Sequence, residues 1–166
     1  MRIGVSLIKG IAFGRNIPCV AVSTLEALAE NITPLSGVLV PCMDARRGQL
    51  YTALFASNGI AAERLSPDSA ISIKELADEL IKQGNKDIYL SGDGYEVAKK
   101  TLLSLGVKTK ETPPLLITEN AYSVARVALR KYNRGEYMSD TEITATYLRL
   151  PQAERERLEN LKKKDI

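Results

Sequence analysis

The chain has no histidine and no tryptophan, and only two cysteines among its 166 residues. Each scarcity removes a class of chemistry. Without histidine there is no Ser-His-Asp triad, no Cys-His pair, no His-ligated metal and no imidazole general base. Two cysteines are too few for a Cys-built zinc site. Cys19 and Cys42 each lie in an apolar run, so they read as buried free thiols of a reducing compartment. No apolar stretch approaches the ~20 residues of a membrane-spanning helix. The first residues lack a small-residue cleavage site followed by a polar start, so they do not read as a signal peptide.

What is present is ordinary globular composition, with 45% hydrophobic and 26% charged residues. The net charge is +3, which permits contact with RNA but does not by itself indicate it. The remaining function classes are a binding module, a subunit, or an enzyme of phosphoryl-transfer type.

Residues 2–14 read as a helix with Ile3, Leu7, Gly10 and Gly14 on one face. Glycine in a helix costs about 1 kcal/mol against alanine, so this helix needs packing from outside itself. Its glycines would let another backbone come close. Residues 17–23 form a short apolar run, predicted as a buried strand. Ser23 or Thr24 can then cap a helix with Leu25, Leu28 and Ala29 at helical spacing. Thr33, Pro34, Ser36 and Gly37 form a breaker cluster and the candidate linker.

From Gly37 the predicted order is strand, strand, strand, helix, strand, helix. Residues 37–44 are an apolar strand, residues 49–57 a second, and residues 60–66 a weaker third, with Asn58-Gly59 as a hairpin signal between the last two. Ser72 caps a helix with Leu76, Leu80 and Ile81 apolar. Residues 86–92 are a strand, and Asp93 is expected to cap the helix after it. After Pro113-Pro114, a last helix carries Val124, Val127, Ala128 and Leu129 as its apolar stripe and stops at Gly135. Three strands in a meander followed by helix–strand–helix describe an α/β layer of ribonuclease-H type.

Two loops could carry chemistry. Asp44-Ala45-Arg46-Arg47-Gly48 sits at a strand's carboxyl end, where α/β proteins place partner or phosphate contacts, although a polar hairpin loop would look the same. Ser91-Gly92-Asp93-Gly94 precedes a helix but lacks the Lys-Ser/Thr of a phosphate loop, and reads as a turn. The tail, residues 151–166, is a charged helix with few apolar anchors. It reads as a solvated end or as a contact for tRNA or a partner.

These segments together resemble the bacterial TsaB (YeaZ) family. Residues 2–29 are similar to its Arg-Ile-Gly helix, Pro-bearing strand and Val-Ser-Thr-Leu. Residues 44–55 resemble its Asp-Ala-Arg-x-Gly-x-Val-Tyr loop, with Leu50 in the Val position. Residues 145–157 resemble its Tyr-Leu-Arg carboxyl end. The resemblance implies an actin-like ATPase fold of two ribonuclease-H-like lobes. Residues 1–36 would be the remnant of the first lobe, residues 37–150 a second lobe, and residues 151–166 the tail. It implies a cytoplasmic, non-catalytic subunit, without metal or cofactor of its own, in the machinery that installs N6-threonylcarbamoyladenosine on tRNA. TsaD, the catalytic subunit, would be its heterodimer partner, with a homodimer as the alternative assembly. TsaE would join the larger complex, and tRNA would be reached through it.

The helix face of Ile3, Gly4, Leu7, Gly10 and Gly14 is the expected partner interface. Asp44 and Arg46 are the functional-loop candidates. The resemblance sets Met1 just after the family's Gly-Ser-Phe-Thr-Gly, with the opening strands expected to be missing. Such a chain is expected to be less stable, and to bind TsaD less well, than one carrying them. Two readings compete. A small kinase or ATPase of the same superfamily would need a phosphate loop and a metal-binding Asp that the sequence does not show. A metallopeptidase is disfavoured by the missing histidines.

Overall fold

The structure, a computed structural model, describes residues 2–84 and 86–148. It is built on β1 (Ser36–Asp44), whose five residues 38–42 are all buried. A continuous apolar run of this kind marks a strand covered on both faces. Val38, Val40 and Cys42 point into one core with Leu76, Leu80, Leu90, Ala98 and Leu102. Leu39 belongs to a second core with Leu25, Ala29, Ile32, Ala53 and Phe55. The alternation along β1 therefore divides the molecule into three layers.

β2 (Gln49–Thr52) and β3 (Phe55–Asn58) lie antiparallel to β1 in one continuous register, Cys42 opposite Thr52 and Leu39 opposite Phe55. The sequence predicts one strand here; the ladder breaks at Ala53 and Leu54. Pro41 of β1 has no N–H to donate and falls in that gap. Leu54 turns to other partners: its N–H donates to Ser66 Oγ at 2.8 Å and its carbonyl accepts from Leu65 N at 2.8 Å. The third strand is split correspondingly, into β4 (Ala62–Arg64) on β3 and β5 (Ser69–Ser72) on β2. The Asn58-Gly59 turn forms as expected, with Asn58 Oδ1 accepting from Ile60 N and Ala61 N. β6 (Ile88–Ser91) pairs parallel to β1 on its other side. A kinked antiparallel meander with a parallel fourth strand is the expected ribonuclease-H-type order.

The helices follow their caps. α2 (Thr24–Asn31) starts at Ser23, whose hydroxyl accepts from Glu26 N at 3.3 Å. α3 (Ile73–Ile81) has a full capping box between Ser72 and Glu75. α5 (Ala121–Asn133) is capped by Asn120, which accepts from Ser123 N at 2.8 Å. α3 packs with α4 (Tyr95–Ser104) on one face of the sheet, and α2 covers the other with α5 against it. Residues 33–37 form a packed turn in which the Thr33 carbonyl accepts from the buried Ser57 hydroxyl at 2.6 Å.

Four local expectations need correction. Residues 17–23 do not form a strand: Cys19 makes a single antiparallel bridge to Met138, because the described residues offer no neighbouring strand to extend it. Asp93 does not cap α4; its Oδ1 instead accepts from Asp44 N at 3.0 Å, and Gly94 takes the cap position without a side-chain bond. The α5 stripe is wrong at its edges. Val127 and Ser123 are buried, whereas Val124 and Leu129 are exposed. Among the described residues α5 packs chiefly on α2, which needs only a narrow contact row. Ile81, expected to be apolar-facing on α3, is exposed as well.

Candidate functional site

α1 (Arg2–Ala12) is held to the rest of the molecule by little. Ala12 packs with Cys19, Met138 and Ile143, and Lys9 Nζ donates to the Thr141 carbonyl at 3.2 Å. At 3.6 residues per turn, Ile3, Leu7 and Gly10 fall on the side roughly opposite Ala12. That side is open. Ile3 is 86% exposed, Leu7 62%, and Phe13 beyond the helix 76%. A Cβ added at Gly4 or Gly10 would meet nothing within 4 Å. Gly14 lies past the helix end with φ +66°, so it acts as the stop and extends the face only as a turn. The arrangement is an apolar ridge with two Cβ-free notches, which suits close approach of another backbone.

The loop between β1 and β2 is the second candidate. Asp44, Arg46 and Arg47 are exposed. Asp44 Oδ1 accepts from Arg46 N at 2.7 Å, and Ala45 N donates to the Gln49 carbonyl at 3.0 Å. Arg46 (φ 62°), Arg47 (φ 55°) and Gly48 (φ 72°) are three successive left-handed residues. The structure thus brings Asp44 and Asp93 together at the carboxyl ends of β1 and β6. It brings neither to α1: among the described residues no hydrogen bond or ion pair joins the loop to that helix.

The turn at residues 91–94 is structural. Gly92 N donates to the Ile117 carbonyl at 2.6 Å and Gly94 N to the Cys42 carbonyl at 3.0 Å, so these amides are already used. Cys42 is fully buried beneath this turn, and burial pushes its thiol pKa up to about 12. Cys42 and Cys19 are both free and buried, as expected. Among the described residues no three His, Cys, Asp or Glu side chains lie close enough to hold a metal ion. No helix among them is long and apolar enough to cross a membrane.

Sequence reasoning missed a charged cluster between α2 and α5. The buried Glu30 carboxylate is held by Arg126 Nε at 2.9 Å and by both terminal nitrogens of Arg130 at 2.9 and 2.6 Å. Glu30 in turn holds the Arg130 guanidinium above its usual pKa range. A groove of about 350 Å³ runs beside it, lined by Glu26, Phe55, Glu63, Arg64 and Arg134 among others. The available signal was Arg126, Arg130 and Arg134 at four-residue spacing, one row of a helix. The tail at residues 151–166 lies outside the described residues.

Comparison with known proteins gives these features a family. Residues 1–156 match the family model described as TsaD: tRNA N6-adenosine threonylcarbamoyltransferase. The tRNA threonylcarbamoyladenosine biosynthesis protein TsaB of Bacillus subtilis (strain 168) is 34% identical over 102 residues, 61% of this chain and 44% of that protein. Its counterpart TsaB in Escherichia coli (strain K12) is 22% identical over 151 residues, 90% of this chain and 64% of that protein. The chain therefore spans under two thirds of the length of either curated relative. The solved structure of YeaZ from Pseudomonas aeruginosa superposes with a TM-score of 0.67 at 19% identity, over 88% of this chain and 67% of that one. A second, titled as a protein with similarity to peptidase YEAZ from Pseudomonas aeruginosa, gives 0.67 at 18% identity over 89% and 67%. With the family match over residues 1–156, these two likenesses support the expected actin-like, ribonuclease-H-like fold.

Proposed function

The chain belongs to the TsaD family of tRNA N6-adenosine threonylcarbamoyltransferases, in its TsaB/YeaZ branch, and from that premise we propose that it is a non-catalytic scaffold subunit. Its role is to hold TsaD in the complex that makes threonylcarbamoyladenosine on tRNA in the cytoplasm. TsaE joins the larger assembly, and tRNA is met through it. The observation that carries this reading is the α1 ridge, with Ile3 at 86% and Leu7 at 62% exposure beside the open notches at Gly4 and Gly10. A helix that costs so much to form and buries so little of itself gains its packing from another chain. The absence of histidine supports a subunit that leaves metal chemistry to its partner.

The two-lobe division goes with this. Residues 1–36 are assigned to a remnant of the first lobe and residues 37–150 to the second, as the resemblance implies. α2 itself packs within the second unit: it contributes Leu25, Ala29 and Ile32 to the sheet's core on one side and meets α5 on the other. Asp44 and Arg46 are the loop residues assigned to function.

Gly10→Leu tests the interface. The notch is empty in the free chain, so leucine fits there without altering the fold. In a close helix–helix contact the same side chain overpacks. Co-elution with TsaD should be lost. Unchanged co-elution would remove α1 from the interface.

A further inference from the structure

We propose that the β1–β2 loop is a contact for RNA phosphodiester groups, made by Arg46 and Arg47. The choice of tRNA as the natural ligand rests on the tRNA-modification reading above; the chemistry of the loop does not.

The first observation is conformational. A four-residue hairpin loop that needs successive left-handed residues is served without strain by glycine or asparagine. Here Arg46 (φ 62°) and Arg47 (φ 55°) occupy two of the three left-handed positions. The surroundings enforce that geometry. Arg46 N donates to Asp44 Oδ1 at 2.7 Å, Gln49 N to the Arg46 carbonyl at 3.2 Å, and Ile73 N to the Gly48 carbonyl at 3.4 Å. Asp93 Oδ1 braces Asp44 N at 3.0 Å. The backbone is thus over-determined while its residue choice is unfavourable, so the side chains are kept for something other than the turn.

The second observation is electrostatic. Arg46 and Arg47 are exposed, and neither makes an ion pair among the described residues. This contrasts with Arg64, Arg126 and Arg130, each matched to a carboxylate. Lys74 adjoins the loop at the start of α3 and is likewise exposed and unmatched among the described residues. The nearby Asp44 and Asp93 each have one oxygen occupied by a backbone amide. Two arginines on the loop and Lys74 beside it, set against the carboxylates of Asp44 and Asp93, leave a local excess of positive charge at the carboxyl ends of β1 and β6.

The third observation selects the ligand. A protein–protein interface needs an apolar centre. This loop has none: its one apolar residue, Ala45, is buried. Phosphodiester contacts need only donors and charge. Guanidinium groups supply both in a fixed geometry.

The test uses the whole chain, a fluorescein-labelled unmodified tRNA transcript, and the variant Arg46→Asn/Arg47→Asn. Two measurements are made together. Relief of the left-handed strain should raise Tm by a few degrees. Loss of two phosphate contacts should lower the slope of log affinity against log salt by about 1.8, from ~0.9 per contact. Arg46→Lys/Arg47→Lys should keep most of the slope. A higher Tm with an unchanged slope would make the loop a turn only and overturn the proposal. So would a Tm that does not rise, no tRNA binding by the unaltered chain, or full displacement of tRNA by polyglutamate at low micromolar concentration, which would mark an acidic protein as the ligand. TsaD is absent from this experiment. Failure here leaves the scaffold reading to its own test, and failure of that test leaves this one standing or falling on the salt slope.

Discussion

Arg130 donates to both carboxylate oxygens of Glu30, at 2.9 and 2.6 Å, and so ties α5 to the first half of the chain. The Glu30 side chain is 3% exposed, while Arg130 is 43% and Arg126 47% exposed. The carboxylate thus loses its water and the cations keep theirs. Removing one arginine leaves the other in place, and should cost about 1–2 kcal/mol. Removing both strands a buried charge, and should cost about 3–5 kcal/mol. A denaturation series on Arg126→Ala, Arg130→Ala and the double variant measures the coupling. A double variant costing less than about 1 kcal/mol would show the clamp to be ornamental to stability.

Gly92 and Gly135 both have positive φ, at 94° and 77°, but different surroundings. A Cβ on Gly92 would collide with the Cys42 backbone carbonyl, whereas one on Gly135 would meet nothing within 4 Å. Gly135→Ala should therefore cost only the left-handed strain, about 1–2 kcal/mol. Gly92→Ala adds the displacement of β1 and should cost at least about 3 kcal/mol, or prevent folding. Equal melting temperatures for the two variants would refute the close-approach account.

Cys42 is sealed beneath that same turn, and its thiol is raised to about 12 by burial. The thiolate is the reactive form. Native protein at pH 8 should leave Cys42 unalkylated by iodoacetamide for as long as it stays folded, with labelling on denaturation; mass spectrometry of peptides reads this. The linkage sign follows. The folded state holds this proton more tightly, so its contribution to stability is present at neutral pH. It is lost as pH rises from about 9 towards about 12.

The caps set the acid limb. Ser72 N and Oγ hold Glu75 below its ordinary carboxylate range, and Ser139 N and Oγ do the same for Glu142. Lys99, helped by Tyr95, lowers Glu111. Folded carboxylates of depressed pKa bind fewer protons than unfolded ones. Their stabilisation is present above the ordinary value of 4.5 and is lost as pH falls through it and below. Thermal melts from pH 7 to pH 3 should show this decline. Glu75→Gln/Glu142→Gln should be less stable at pH 7 and show a shallower acid limb.

Much of this was legible in the chain itself. The caps at Ser23 and Ser72 carry their own signal, because the capping side chain and its target lie three residues apart. The continuous apolar run of residues 38–42 marks a strand covered by a layer on each face. What escaped was non-local. Pro41 breaks the ladder only because of what stands opposite it. Asp93 abandons its helix for Asp44, forty-nine residues earlier. Leu129 is exposed because α5 packs chiefly on α2, which no periodicity within α5 can reveal. Glu30 looks like any surface glutamate until Arg126 and Arg130 arrive from the far end of the chain. The open side of α1 is foreshadowed by the glycines and apolar residues that share it. The Arg46–Arg47 strain was not, since φ is not written in the residue type.

The most direct test of the scaffold account is the dissociation constant of this chain for TsaD, measured by titration calorimetry alongside its melting temperature. Gly10→Leu sits in the empty notch of α1, and Ile60→Asp, on the distant β3–β4 turn at 82% exposure, serves as control. Overpacking of about 1–3 kcal/mol predicts a dissociation constant weaker by roughly fivefold to a hundredfold for Gly10→Leu at an unchanged Tm, with Ile60→Asp binding as the unaltered chain does. Equal dissociation constants for all three, or no binding by the unaltered chain, would contradict it.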